Sequence, residues 1–339
     1  MTAALIRSIH TVDSHTEGNA TRVIVGGVPV PPGNSLLEKR AWLRANDDGL
    51  RRVLNFEPRG SDCMCSVLLL PPESPDAHFS IIIMEQEEYV PMCGHCVIGT
   101  ATTVVATGMV RPVEPATVVK LDTPAGPVEC NVAVRDGKVL EVSLDNVDSF
   151  LLYDQAPIDI EGMGVVQTDI AYGGDFYAFI DADALDLDLS PSNSTSIIEV
   201  ASRVRAAVAD QLDVRHPRQP HINACYQVLF TSSRTTNGDY KQVVCLPPGA
   251  LDRSPCGTGT CAHVAVLHTR GEIGLNDPRR FEGLLGTCFR GEARRAEDSD
   301  GLLYVTPRIT GRAYLTGFHR FVVEADDPMP AGYRLGRDS

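Results

Sequence analysis

Two short stretches of this chain combine a cysteine, a glycine and small residues in the same order. One is Pro91-Met92-Cys93-Gly94-His95-Cys96-Val97-Ile98-Gly99-Thr100, the other Ser254-Pro255-Cys256-Gly257-Thr258-Gly259-Thr260-Cys261. Each opens an apolar run that stops at a glycine the same distance on, from Cys93 to Gly108 and from Cys256 to Gly271. A thiol at a helix N-terminus lies beside unpaired backbone N–H groups and the positive end of the helix dipole, which favours thiolate near neutral pH. The glycine after it lets a ligand approach the backbone, so the same N–H groups can receive a carboxylate. One such site suggests a nucleophile or a base. Two, on related halves, suggest two thiols facing each other across a cleft, one ionised and one not. Such a pair takes a proton from one face of a carbon and returns one to the other, which is racemisation or epimerisation, with the helix N–H groups holding the enolate-like charge. That chemistry needs no cofactor, and no lysine-centred pyridoxal motif is visible.

Other readings of these residues compete with this one. Free cysteine usually just packs, and packing is the expectation for Cys63, Cys65, Cys130, Cys225, Cys245 and Cys288. The matched repeat sets Cys93 and Cys256 apart. Cys93-Gly94-His95-Cys96 also has the spacing of a redox dithiol or half a metal site. Zinc would need further ligands, and no second C-x-x-C exists, so no metal is expected. Oxidation of Cys93 with Cys96 remains open as an off-switch. His95, two residues after the candidate catalyst, is expected to contact ligand. Asp252, four residues before Cys256, is expected as a counter-ion for a substrate ammonium rather than an ordinary cap. Asp13-Ser14-His15-Thr16 alone is structural turn chemistry.

The elements that must carry these residues also repeat. A β-type run precedes each cysteine, Phe79-Ser80-Ile81-Ile82-Ile83 and Val243-Val244-Cys245-Leu246. Each is preceded in turn by a long helix. The first is expected from Leu36 to Asn55, with Leu37, Leu43, Leu50, Val53 and Leu54 near one face. The second opens at the capping-box pattern Ser196-x-x-Glu199. Strands are expected at Val67–Leu70, Val118–Leu121, Val128–Val134, Val139–Val147, Phe176–Ile180 and Gln227–Thr231, with short strands after Gly271. The pattern begins again after Leu152. The expected organisation is therefore residues 1–150 as a half carrying Cys93 and 151–309 as a half carrying Cys256, with the segment about 310–339 able to return to the first. Each half is a curved, mostly antiparallel sheet around a central apolar helix.

The chain has 339 residues, 43% of them hydrophobic and 22% charged, and a net charge of −14. That acidity argues against nucleic acid and against anionic membrane surfaces. No signal-peptide pattern or spanning-length apolar run is seen, so a cytoplasmic protein with reduced thiols is expected.

Together these residues resemble the proline racemase family, which includes proline racemase, 4-hydroxyproline 2-epimerase and trans-3-hydroxy-L-proline dehydratase. The resemblance rests on Met92-Cys93-Gly94-His95 and Asp252-Arg253-Ser254-Pro255-Cys256-Gly257-Thr258-Gly259-Thr260. It extends to Asp13–Gly18, Arg22-Val23, Gly26-Gly27, Glu57–Gly60, Gly173–Ala178 and Thr310–Tyr314, and so covers essentially the whole chain. It implies an α/β (α+β), diaminopimelate-epimerase-like fold of two pseudo-symmetric halves, and a homodimer. It implies Cys93 and Cys256 as acid/base residues, His95 and Asp252 near a pyrrolidine nitrogen, and the backbone of Gly94, Gly257 and Thr258 on the carboxylate. Both cysteines are kept, which favours a racemase or epimerase over the dehydratases, where Thr or Ser replaces one. Val90 and Leu246 fall at pocket-lining positions and are apolar, which leans toward unsubstituted proline over 4-hydroxyproline, since a hydroxyl buried without a partner is costly. Ser61 stands where His is common in proline racemases, a departure that could accommodate a substrate hydroxyl. The reading is thus a cofactor-independent proline racemase acting on a small imino acid. A thiol-redox protein and a non-catalytic imino-acid binder are the alternatives from other classes.

Overall fold

The computed structural model describes residues 5–247 and 249–335. The chain forms two compact units, Met1–Leu144 with Arg312–Ser339, and Asp145–Gly311. The first begins with strands β1 (Leu5–Thr16) and β2 (Asn19–Gly26), helices α1 (Leu36–Asn46) and α2 (Gly49–Asn55), and strands β3 (Cys65–Leu70) and β4 (Phe79–Met84). Helix α3 (Gly94–Ala106) and strands β5 (Ala116–Thr123), β6 (Gly126–Arg135) and β7 (Lys138–Asp145) follow. The second unit holds β8 (Phe150–Ile160), β9 (Gly164–Tyr172), β10 (Phe176–Asp181), α4 (Ser194–Gln211), β11 (Gln227–Ser232) and β12 (Tyr240–Leu246). It continues through β13 (Ala250–Leu251), α5 (Gly257–Thr269), β14 (Arg279–Glu282), β15 (Cys288–Ser299) and β16 (Leu302–Gly311). The last strand, β17 (Ala313–Glu324), belongs to the first unit and runs antiparallel to β1.

The two units repeat one topology. In the first the strand order is β17-β1-β2-β3-β4-β5-β6-β7, antiparallel except at β2–β3 and β4–β5. In the second it is β8-β9-β10-β11-β12-β14-β15-β16, antiparallel except at β10–β11 and β12–β14. A parallel pair needs a crossover long enough to return the chain to the same end of the sheet. The first crossover of each unit is α1–α2 or α4, and the second is α3 or α5.

Helices α3 and α5 sit at the centres of their units. Helix α3 packs on β1, β2, β3, β6 and β17, and α5 on β8, β9, β10, β15 and β16. Every residue of α3 from Gly94 to Val105 is buried. Intrinsic propensity does not explain this helix. Val97, Ile98, Thr100, Thr102, Thr103, Val104 and Val105 each cost up to about 0.7 kcal/mol against alanine, and Gly99 about 1. Burial of Val97, Ile98, Val104 and Val105, contributing about 1.5–3 kcal/mol apiece, outweighs that cost. Both helices end at a glycine in the left-handed region, Gly108 at φ 75° and Gly271 at φ 72°, where a side chain would be strained.

Several expectations are corrected. The helix expected over Leu36–Asn55 is two, because Asp47 leaves helical geometry (φ −143°, ψ 44°) and Gly49 opens the second. Leu36 rather than Leu37 faces the core beside Leu43; Leu37 is 54% exposed. Ser196 does not cap α4: a 3₁₀ turn at Pro191–Asn193 leads straight into a helix starting at Ser194, which places Ser196 inside its first turn. The strands after Gly271 are mostly long, with β15 to β17 running 10–12 residues.

Candidate active site

Cys93 is the residue before α3, with extended dihedrals (φ −150°, ψ 118°), and its carbonyl accepts the first helical hydrogen bond from Val97 N–H at 3.0 Å. Its Sγ lies 3.1 Å from Nδ1 of His95. The other ring nitrogen, Nε2, is 3.1 Å from the Asn19 amide nitrogen and 3.4 Å from Cys96 Sγ. The His95 carbonyl accepts from Thr16 Oγ1 at 2.9 Å, so β1 anchors the first turn of α3. His95 and Cys96 are buried, whereas Cys93 is half-buried.

This cluster separates charge. A hydrogen bond with Cys96 and the charge of His95, acting against burial, hold the Cys93 thiol well below its ordinary 9.0. Burial opposes the imidazolium, yet the facing Cys93 and Cys65 sulfurs hold His95 well above 6.5. Burial pushes Cys96 well above 9.0 and keeps it a thiol. Burial, and then the charge of Cys93, raise Glu85 well above its usual range, so a neutral carboxyl stands beside the thiolate. Cys65, expected only to pack, is instead drawn into the group. Its hydrogen bond with Cys96, and then His95, pull it down to about 7 against burial. The strand partner that delivers it, β3 beside β2, is invisible in a linear motif.

Cys256 precedes α5 in the same way but differs in backbone. Its φ of 67° with ψ 118° is rare for a residue with a side chain, and such conformations cost about 1–3 kcal/mol. A short relay holds it. Cys256 N–H donates to Ser254 Oγ at 3.1 Å, and Ser254 donates from N–H and Oγ to Asp252 Oδ1 at 2.8 and 2.9 Å. The sulfur accepts from Gly259 N–H at 3.4 Å and lies 3.4 Å from Tyr177 Oη and 3.8 Å from Thr258 Oγ1. Burial, and then the charge of Asp252, push this thiol well above 9.0 despite those three partners. Tyr177, also held un-ionised by burial, spans Cys256 and Thr258, reaching the latter at 2.6 Å. The sequence motif Gly173–Ala178 contained it, but only the fold of β10 shows where it points.

The remaining expected residues distribute as follows. Gly94 and Gly257 are the first residues of α3 and α5 and are buried; Thr258 is half-buried. Val90 is half-buried in the segment before Cys93. Leu246 ends β12 and packs against the cluster containing Tyr177 and Cys256. Asp252 is buried. Ser61 is exposed, its Oγ 3.6 Å from Cys63 Sγ.

Repeated units, each with an apolar helix inside a mixed sheet and a cysteine at the helix start, define the diaminopimelate-epimerase-like class of α+β proteins. The family model for proline racemase matches residues 11–334. Proline racemase of Clostridioides difficile is 41% identical over 330 residues, covering 97% of this chain and 98% of that one. 4-Hydroxyproline 2-epimerase of Streptosporangium roseum is 40% identical over 329 residues, covering 97% and 99%. A solved hydroxyproline epimerase from Agrobacterium vitis, with bound trans-4-hydroxy-L-proline, superposes with a TM-score of 0.88 at 33% identity, covering 98% of this chain and 96% of that one. The chain belongs to the proline racemase family.

Proposed function

We propose that this chain is an isomerase that racemises proline without a cofactor, by two-base proton transfer at the α-carbon. The observation that carries the reading is the placement of Cys93 and Cys256 as the residues that open the equivalent helices α3 and α5, in surroundings that lower the first thiol and raise the second. The Cys93 thiolate removes the α-proton from one enantiomer and becomes a thiol. The Cys256 thiol delivers its proton to the opposite face and becomes a thiolate, which Tyr177 and the Gly259 N–H stabilise. The reverse direction exchanges the roles. Backbone N–H groups at Gly94, Gly257 and Thr258 receive the substrate carboxylate, where charge grows as the enolate-like state forms. His95 and Asp252 face the ring nitrogen, and Val90 and Leu246 line the apolar side of the ring.

A second reading is 4-hydroxyproline 2-epimerase, favoured by the near-equal identity to the Streptosporangium enzyme and by Ser61 as a small hydroxyl-bearing residue. Chiral chromatography on L-proline, trans-4-hydroxy-L-proline and trans-3-hydroxy-L-proline side by side decides between them. Interconversion of L- and D-proline is expected to have the highest kcat/KM; turnover of none of the three would overturn both readings.

The working form is proposed to be a homodimer. β17 leaves Phe318 and Val322 exposed four residues apart, on one face of the strand, and Phe318 is 71% exposed. Light scattering on the Phe318→Glu variant is expected to show a shift to monomer. A cytoplasmic location is proposed because all ten cysteines are free, as a reducing compartment would keep them. Among the described residues, no helix is long and apolar enough to cross a membrane.

A further inference from the structure

The first unit contains a set of ligand atoms of which the proposed reaction uses only those of His95. Cys65 Sγ, Cys96 Sγ and a ring nitrogen of His95 all lie within 4.8 Å of one another, and all three residues are buried. The Cys96–His95 edge is already 3.4 Å. Tetrahedral zinc holds thiolates at about 2.3 Å and imidazole at about 2.0–2.1 Å, which puts neighbouring ligand atoms about 3.6–3.8 Å apart. A contraction of about 1 Å at most therefore closes the set around one ion. The imidazole is also oriented as a metal ligand requires. Its Nδ1 is engaged by Cys93 Sγ at 3.1 Å, the outer partner that fixes the ring of a ligating histidine, and Nε2 is the nitrogen facing Cys96. The chain spacing Cys93-x-x-Cys96 suggested half a metal site that lacked partners. The fold supplies the missing thiol from β3, and it pairs with Cys96 rather than Cys93.

We propose that Cys65, His95 and Cys96 form a binding site for one thiophilic closed-shell cation of the zinc type, with a fourth position open. Ligation requires the Cys96 thiol proton, the Nε2 proton of the His95 imidazolium and any proton still on Cys65 to leave to solvent, so one dication enters as two to three protons leave. The ion displaces Asn19 from Nε2 and fixes His95 beside Cys93. Binding therefore inhibits racemisation reversibly, a consequence that rests on the function proposed above.

The test uses the full-length, reduced, metal-free protein titrated with Zn2+ and, separately, with Co2+ as a spectroscopic probe. One Zn2+ per chain is expected, and the Co2+ form is expected to show an intense near-ultraviolet thiolate-to-metal band. Cys65→Ala and Cys96→Ala should each weaken Zn2+ binding at least tenfold, while Cys256→Ser should bind as the unsubstituted chain does. Zn2+ should abolish turnover and a chelator restore it. A Co2+ complex without the thiolate band overturns the site with no variant needed. Undiminished binding in both alanine variants, or lost binding in Cys256→Ser, overturns it as well. The spectrum judges the metal site whether or not the chain turns over proline, so absence of racemisation in metal-free protein counts against the reaction alone.

Discussion

The Cys93 sulfur and Nδ1 of His95 stand 3.1 Å apart, and they perturb each other's protonation in opposite senses. Between the ordinary values of 6.5 and 9.0, an isolated imidazole and an isolated thiol would both be neutral. Here the thiol is depressed and the imidazole raised, so within that window the pair is shifted toward thiolate and imidazolium. Each group is stabilised in its charged form. The Cys93 contribution is lost as pH falls through its lowered value, and the His95 contribution as pH rises through its raised one. Alkylation of Cys93 followed by mass spectrometry should therefore rise less steeply with pH than that of a free thiol, which gains close to tenfold per unit below its value of about 8.5. His95→Gln should steepen the rise while the Cys96 hydrogen bond keeps part of the depression. A steep rise in the unsubstituted chain would remove the ion pair from the mechanism.

The same comparison ranks the two cysteines. Cys256 is held as a thiol by burial and Asp252, so at neutral pH Cys93 should be alkylated well before it. Cys93→Ser and Cys256→Ser should each lower racemisation by about 10²- to 10⁴-fold, the usual worth of a positioned acid or base. Chiral chromatography reads this directly. Near-normal interconversion in either single variant would end the two-thiol mechanism.

Tyr177 tests the stabilisation of Cys256 once it has lost its proton. Phenylalanine in its place keeps the ring, which is 2% exposed, and removes only the hydroxyl at 3.4 Å from the sulfur. A hydrogen bond to a charged group is worth about 1.5–3 kcal/mol, or roughly 10- to 150-fold in rate. Tyr177→Phe should lose that factor in the direction that leaves Cys256 as thiolate, with little change in Tm. Equal kcat values for the variant and the unsubstituted chain would show that the Gly259 and Thr258 contacts suffice.

The repeat was legible in the sequence because its punctuation is chemical. Cysteine at a helix start, glycine after it and glycine at its end are each required by local backbone physics, so they recur at fixed spacing in α3 and α5. Strand positions were legible for a similar reason, since buried β4 and β12 are continuous apolar runs. What escaped depends on partners distant in sequence. Cys65 looks like a packing cysteine until β3 is paired with β2, and Tyr177 looks like one of several aromatic residues until β10 is placed beside α5. Asp13–Thr16, expected as a polar turn, is instead the end of β1, where Asp13 pairs with buried Arg22 at 2.8 Å. Nothing local announced that Arg22 also donates to the carbonyls of Leu54 and Arg59, tying the β1–β2 hairpin to the end of α2. Gly49 is the one local sign of the break after Asn46, because apolar spacing continues across it; the non-helical Asp47 and the second start at Gly49 interrupt the hydrogen bonds.

At Gly173 the second unit packs closely on the helix that Cys256 opens. A Cβ there would lie 2.2 Å from the Thr258 carbonyl oxygen and 2.4 Å from Ala262 N, both backbone atoms of α5 that cannot turn aside. The turn between β9 and β10 therefore packs directly on the start of the helix that presents Cys256, Gly257 and Thr258. Asn146 ties the same turn down by donating to the Gly173 carbonyl at 2.7 Å. Gly173→Ala must push the turn or the helix outward, and overpacking of this kind costs about 1–3 kcal/mol. For a unit of this size that lowers Tm by about 2–4 °C per kcal/mol. The displacement also moves the N–H groups proposed to hold the substrate carboxylate. At a temperature where the variant is fully folded by circular dichroism, KM for proline should rise and kcat/KM should fall at least tenfold. Lower Tm with unchanged KM would mean that the turn yields and the helix stays, and would separate the role of Gly173 in folding from any role in positioning the site.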